Sequence, residues 1–112
     1  MKKIILTIIF LILTFPVQAE YSNQEICDAI FIIEGGNDTN FPYGIKSVKC
    51  EGKDQCEKIC QNTIENNRLR FANQIKEKDF LKFLQSRYCP NTEPMCENWL
   101  PNLKYFLEKN NE

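Results

Sequence analysis

FIIEGGNDTNFPYGI, residues Phe31–Ile45, is the stretch on which the reading of this chain turns. An apolar, helix-like run ends on a glutamate, and two glycines then turn the chain away from it. Upstream, Ser22-Asn23-Gln24-Glu25 has the form of a capping box, in which the serine hydroxyl accepts an amide bond and the glutamate reaches back. The helix it opens is expected from Asn23 to about Glu34. Cys27, Ile30, Phe31 and Glu34 fall on one stripe at helical spacing, with Ile26, Ala29 and Ile33 beside it. Gly35 is the natural residue to end such a helix in a left-handed conformation.

Downstream, Gly36–Pro42 is rich in turn formers, and Tyr43–Val48 alternates weakly, as a short strand or an irregular segment would. The strongest periodicity follows. Cys56, Ile59, Cys60, Thr63, Ile64, Asn67, Phe71 and Ile75 recur at steps of three and four, with Asp54 as a candidate cap. The opposite face of that helix, with Lys58, Glu65, Arg68 and Lys76, reads as solvated. Asp79 is placed to cap a further helix with Phe80, Phe83, Leu84 and Tyr88 inward. A last helix begins near Glu97 or Asn98, tolerates Pro101 in its first turn, and turns Trp99, Leu103, Phe106 and Leu107 to the core. The expected fold class is therefore mostly α: about four helices with a short loop or β segment after the first.

The chain is 112 residues long, with six cysteines and no histidine. Lys2 and Lys3, the apolar run Ile4–Phe15, Pro16 and the small residues up to Ala19 have the form of an export signal. Residues 20–112 are expected as one domain, periplasmic or secreted. The apolar run is shorter than the ~20 residues a membrane span needs, so no stable membrane anchor is expected. Two of the fourteen basic residues and none of the fifteen acidic ones lie in that signal, leaving a slightly acidic domain with no nucleic-acid footprint. Lack of histidine removes Ser-His-Asp and Cys-His catalysis and most zinc sites. No cofactor or metal is expected, and the domain reads as a monomer.

In an exported chain of this size, six cysteines form a disulfide framework, with 15 pairings open. Cys56 and Cys60 lie one helical turn apart on one face and so call for different partners. Cys50–Cys56 and Cys89–Cys96 are short local closures, which leaves Cys27–Cys60.

Glu34 is the candidate for chemistry. Free carbonyls at a helix C-terminus carry about half a negative charge and disfavour an anion there by roughly 0.3–1 kcal/mol. A place on the apolar stripe adds desolvation, and both effects raise a carboxyl pKa. A carboxyl kept protonated near neutral pH is what a general acid needs to break a glycosidic bond. The residues equally permit a boundary glutamate whose tip reaches water.

"IIEGG" followed by "YGI" resembles the first catalytic stretch of the lysozyme superfamily, phage lysozymes and lytic transglycosylases in particular. "CQNTIENNRLRF" and "FLQSRYCPNTEPMCENWLPNLKYFL" are similar to small phage- and mobile-element-encoded transglycosylase-like proteins. The resemblance implies that Glu34 protonates the leaving oxygen of the MurNAc–GlcNAc link in peptidoglycan glycan strands. It implies that Tyr43, Ser47 and Tyr88 border the substrate. Asp38 is the nearest second carboxylate, though Asn37-Asp38-Thr39 also fits a plain turn. A single acid suits a lytic transglycosylase, whereas hydrolysis calls for a second carboxylate. Two features depart from the family pattern: the domain is short, and six cysteines are not general in it. A non-catalytic, disulfide-rich module binding glycan or protein has the same outline.

Overall fold

The computed structural model describes residues 20–46 and 49–110. The expected signal at residues 1–19 lies outside the described residues, as does Ser47. Among the described residues there are four α-helices: α1 (Asn23–Ile33), α2 (Gly52–Ala72), α3 (Phe80–Tyr88) and α4 (Trp99–Asn110). Helix α1 packs against α2 and α4, and α3 packs against both α2 and α4. The chain is mostly helical, as its periodicity predicts. No strand forms among the described residues, and the segment after α1 is a 3-10 turn, Gly36–Asp38, followed by irregular chain.

The core is built from the predicted stripes. Ile26, Cys27, Ala29 and Ile30 of α1 meet Cys60 and Ile64 of α2, Leu84 of α3, and Leu103 and Leu107 of α4, all buried. Each large aliphatic side chain removed from water contributes about 1.5–3 kcal/mol. The capping box is formed: Glu25 N–H donates to Ser22 Oγ at 3.1 Å, and Ser22 N–H to Glu25 Oε1 at 3.1 Å. Asp79 caps α3 by accepting from Leu81 N–H at 3.0 Å.

All six cysteines pair as spacing suggests: Cys27–Cys60, Cys50–Cys56 and Cys89–Cys96. The first ties α1 to α2 across the core. The second closes the entry to α2, and the third closes the loop between α3 and α4.

Three expectations are corrected. Helix α2 begins one turn earlier than an Asp54 cap requires, with Glu51 at its N-cap and Asp54 inside the first turn. There its charge complements the helix dipole without capping. The apolar stripe also ends before Ile75, which is 90% exposed. Asn73 closes the helix, and the Gln74 side chain braces the next turn through Phe71 O, Glu77 O and Glu77 N–H.

Arg68 is not a solvated residue. Its Nε donates to Asn23 Oδ1 at 2.6 Å and its Nη2 to Tyr21 O at 2.5 Å, while Nη1 pairs with Glu20 at 3.2 Å. The guanidinium also lies over the Phe80 ring, 4.7 Å from its centroid. A planar fork with several donors can hold a chain start in this way, which a lysine cannot.

Candidate active site around Glu34

Glu34 is the C-cap of α1, its own N–H donating to Ile30 O at 2.9 Å. Gly35 then takes φ 96° and Gly36 φ 56°, the left-handed region that glycine enters without steric cost. These two residues reverse the chain, and Gly44 N–H bonded to Phe41 O at 2.8 Å closes the next turn. The result brings Gly44 directly onto the Glu34 side chain. A Cβ at Gly44 would lie 2.7 Å from Glu34 Cδ and within 3.0 Å of both carboxyl oxygens. Gly44 has φ 72° as well, so both its backbone and its position demand glycine.

On its other side Glu34 meets α4. Trp99 Nε1–H donates to Glu34 Oε1 at 3.0 Å. The indole stacks on Tyr88 with ring centroids 5.4 Å apart and an interplanar angle of 22°. The Tyr88 hydroxyl is in turn 3.8 Å from Cys60 Sγ. Burial pushes the Tyr88 hydroxyl well above its ordinary pKa, and the Glu34 carboxylate pushes it in the same direction. Tyr88 is therefore a neutral phenol that keeps its proton throughout the physiological range. Glu34 itself is partly exposed. Three helices thus converge on one carboxyl group: α1 carries it, α4 supplies its donor, and α3 supplies the ring that fixes the donor.

An open groove of about 480 Å³ runs beside this cluster. Gly44 and Tyr88, two of the neighbours of Glu34, both line it, while Glu34 and its donor Trp99 lie behind them and do not. Asn67 and Thr63 of α2 line it too, with Arg70 and Arg87. A smaller cavity of about 300 Å³ lies around Arg68, Phe80 and the chain entering α1. The Arg68 donors there are engaged by Glu20, Tyr21 and Asn23, which makes that cavity a structural seam.

The structure therefore brings Glu34 and Tyr88 together, while Tyr43 and Asp38 take other places and Ser47 lies outside the described residues. Tyr43 is 3% exposed and packs on Phe31 with ring centroids 5.3 Å apart, so it supports Gly44 from within the core. Burial, with the charges of Glu57, Asp28 and Asp54, pushes its hydroxyl up to about 12. Asp38 is exposed on the 3-10 turn, its N–H bonded to Gly35 O at 3.1 Å, and it does not line the groove. Trp99 was expected as a core anchor, and it is one, at 6% exposed. Its second role as the donor to Glu34 was missed. The available signal was physical: a buried indole needs an acceptor for its N–H.

No family model, curated protein or solved structure matches this chain. The site is accordingly read from its own geometry.

That geometry gives one prediction. Gly44→Ala is expected to destabilise the protein by about 1–2 kcal/mol through the left-handed backbone alone. It should also push the Glu34 carboxyl off its bond with Trp99. A thermal melt checks the first effect, and a change in indole fluorescence between the two proteins at one pH checks the second.

Proposed function

We propose that the protein cleaves the glycan strands of peptidoglycan at the MurNAc–GlcNAc bond as a lytic transglycosylase, with Glu34 as its single catalytic acid. The observation that carries this reading is the position of the Glu34 carboxyl. It sits at the end of a helix, under a glycine, held by one indole N–H, one residue layer behind a groove that Gly44 and Tyr88 line. Accepting from the buried indole is a structural role, and it also fixes the carboxyl in place and leaves it partly exposed, as a proton donor requires.

In the proposed step the protonated Glu34 carboxyl gives its proton to the glycosidic oxygen, and the bond from that oxygen to the muramic C1 breaks. The primary hydroxyl of the same muramic residue attacks C1 and surrenders its proton to the Glu34 carboxylate. Glu34 ends protonated, and the muramic end becomes an internal anhydro ring with no water consumed. Asp38 is exposed on its turn, and this supports the single-acid reading over hydrolysis, because a hydrolase needs a second carboxylate to manage water or form a glycosyl-enzyme. Tyr88 lines the groove as a neutral donor. The three disulfides are compatible with an exported protein working at the cell wall.

Digestion of purified peptidoglycan by the disulfide-bonded protein, with mass spectrometry of the soluble products, tests this. Anhydro-muropeptides, each lighter by one water than the reducing-end product, are expected. Reducing ends would indicate a hydrolase and bring Asp38 forward. No products from folded protein would leave a non-catalytic glycan- or protein-binding module as the account.

A further inference from the structure

The groove beside Glu34 is unusually charged for one that would hold only sugars. Lys46, Arg70 and Arg87 line it, with Glu93 as the opposing charge. All three cations are exposed, and none makes a side-chain hydrogen bond or ion pair among the described residues. Arg70 and Arg87 each stand in the last turn of a helix, α2 and α3, where a cation complements the dipole. That accounts for one cation at each helix end. It does not account for both ends, and Lys46 of the loop, converging on one groove.

A second, independent feature lies in the same wall. Asn67 is 2% exposed, and its Nδ2 donates to Thr63 O at 2.9 Å. Its Oδ1 is buried with no hydrogen-bond partner. An acceptor left in this way is costly and invites an N–H or O–H from outside the chain. Trp99 donates to Glu34, and the Tyr88 hydroxyl rests against Cys60 Sγ, so neither is turned to it.

We infer that this groove binds the peptide stem of the muramic residue, and that Lys46, Arg70 and Arg87 select stem-bearing strands by engaging the stem carboxylates. The inference rests on the peptidoglycan reading above and names which part of that substrate the groove takes. The glycan backbone itself is uncharged. Its anionic chemistry is the muramic lactyl arm, which either carries a stem with several carboxylates or, when denuded, ends in one. Guanidinium groups suit carboxylates through paired N–H donors, and an ammonium adds a point charge. The stem is also a chain of amides, and its N–H groups are the kind of donor that Asn67 Oδ1 lacks.

The test compares soluble strand fragments with stems intact and the same fragments denuded by an amidase, leaving only the lactyl carboxylate. Binding is measured by calorimetry to protein carrying Glu34→Gln, so that nothing is consumed. Stem-bearing fragments are expected to bind about tenfold more tightly, the scale of one or two charge-assisted contacts at an exposed site, with the gap narrowing in salt. Adding Lys46→Gln, Arg70→Gln and Arg87→Gln should bring the ratio near unity, while Lys46→Arg, Arg70→Lys and Arg87→Lys, which keep the charge but lose the paired donors of the two arginines, should lower it only in part. A purely helix-stabilising role would move the melting temperature and leave the ratio alone.

Equal binding of both fragments, or a ratio indifferent to the neutral variants, overturns the inference. Parallel digestion by the unaltered protein separates the two levels. Product release without stem preference refutes stem selection alone, and no release from either fragment removes the parent reading along with it.

Discussion

Glu34→Gln is expected to lower the release of soluble glycan product by roughly a hundred- to ten-thousandfold, the usual contribution of a general acid. The fold should be untouched. Glutamine has the same shape, so it fits beneath Gly44, and its carbonyl oxygen can still accept from Trp99 Nε1–H. What disappears is the transferable proton. Product release and thermal unfolding measured on the same samples separate the two effects. A large fall in rate with an unchanged melt is the expected pair. A rate within a few-fold of the original would place the acid elsewhere. Asp38→Asn, by contrast, alters an exposed turn residue outside the groove and should leave the rate nearly unchanged.

The largest expected effect on stability comes from removing the Cys27–Cys60 bridge by a double substitution to alanine. The two cysteines are 33 residues apart in sequence and fully buried. A loop of that length, left open in the unfolded chain, corresponds to about 4 kcal/mol in the chain-entropy account. Cys50–Cys56 and Cys89–Cys96 span only 6 and 7 residues, and the same account gives them about 2.5 kcal/mol each. Domains have only about 5–15 kcal/mol in total, so loss of the long bridge should leave the protein near its unfolding threshold. The bridge also lies beside the Tyr88 hydroxyl, so the groove wall should loosen with it. Denaturant titration of the three double variants gives the ranking. A smaller shift for Cys27–Cys60 than for either short bridge would contradict the role assigned to it.

Much of the fold was legible because its signals are local. Ser22 and Glu25 announce α1, Gly35 ends it, and Asp79 opens α3, each through a contact made within a few residues. The two short cysteine pairs followed from the same short-range geometry, and the long one, Cys27–Cys60, was what they left. Where the sequence misled, the cause was a distant partner in one case and a local stop in another. Arg68 reads as a surface residue on its own helix, yet it is claimed by Asn23 and Tyr21, more than forty positions earlier. Ile75 continues the apolar stripe, but Asn73 and the Gln74 side chain stop the helix first.

The site divides in the same way. Glu34 stood out because its surroundings, an apolar stripe and two glycines, are written beside it. Its donor is 65 positions away on α4, and nothing local to Trp99 names the acceptor. The tight approach of Gly44 to the carboxyl was hidden too, since "YGI" reads as a turn until the loop is folded back over α1. Tyr43 and Tyr88 are adjacent to equally suggestive residues, and only packing separates them: one ring enters the core against Phe31, the other borders the groove against Trp99.

The most direct test of a single acid acting without water is digestion of peptidoglycan in heavy-oxygen water by the unaltered protein and by Glu34→Gln side by side. The account predicts anhydro ends carrying no heavy oxygen from the first and almost no product from the second. Heavy oxygen at newly formed reducing ends, or anhydro product undiminished in the variant, would contradict it.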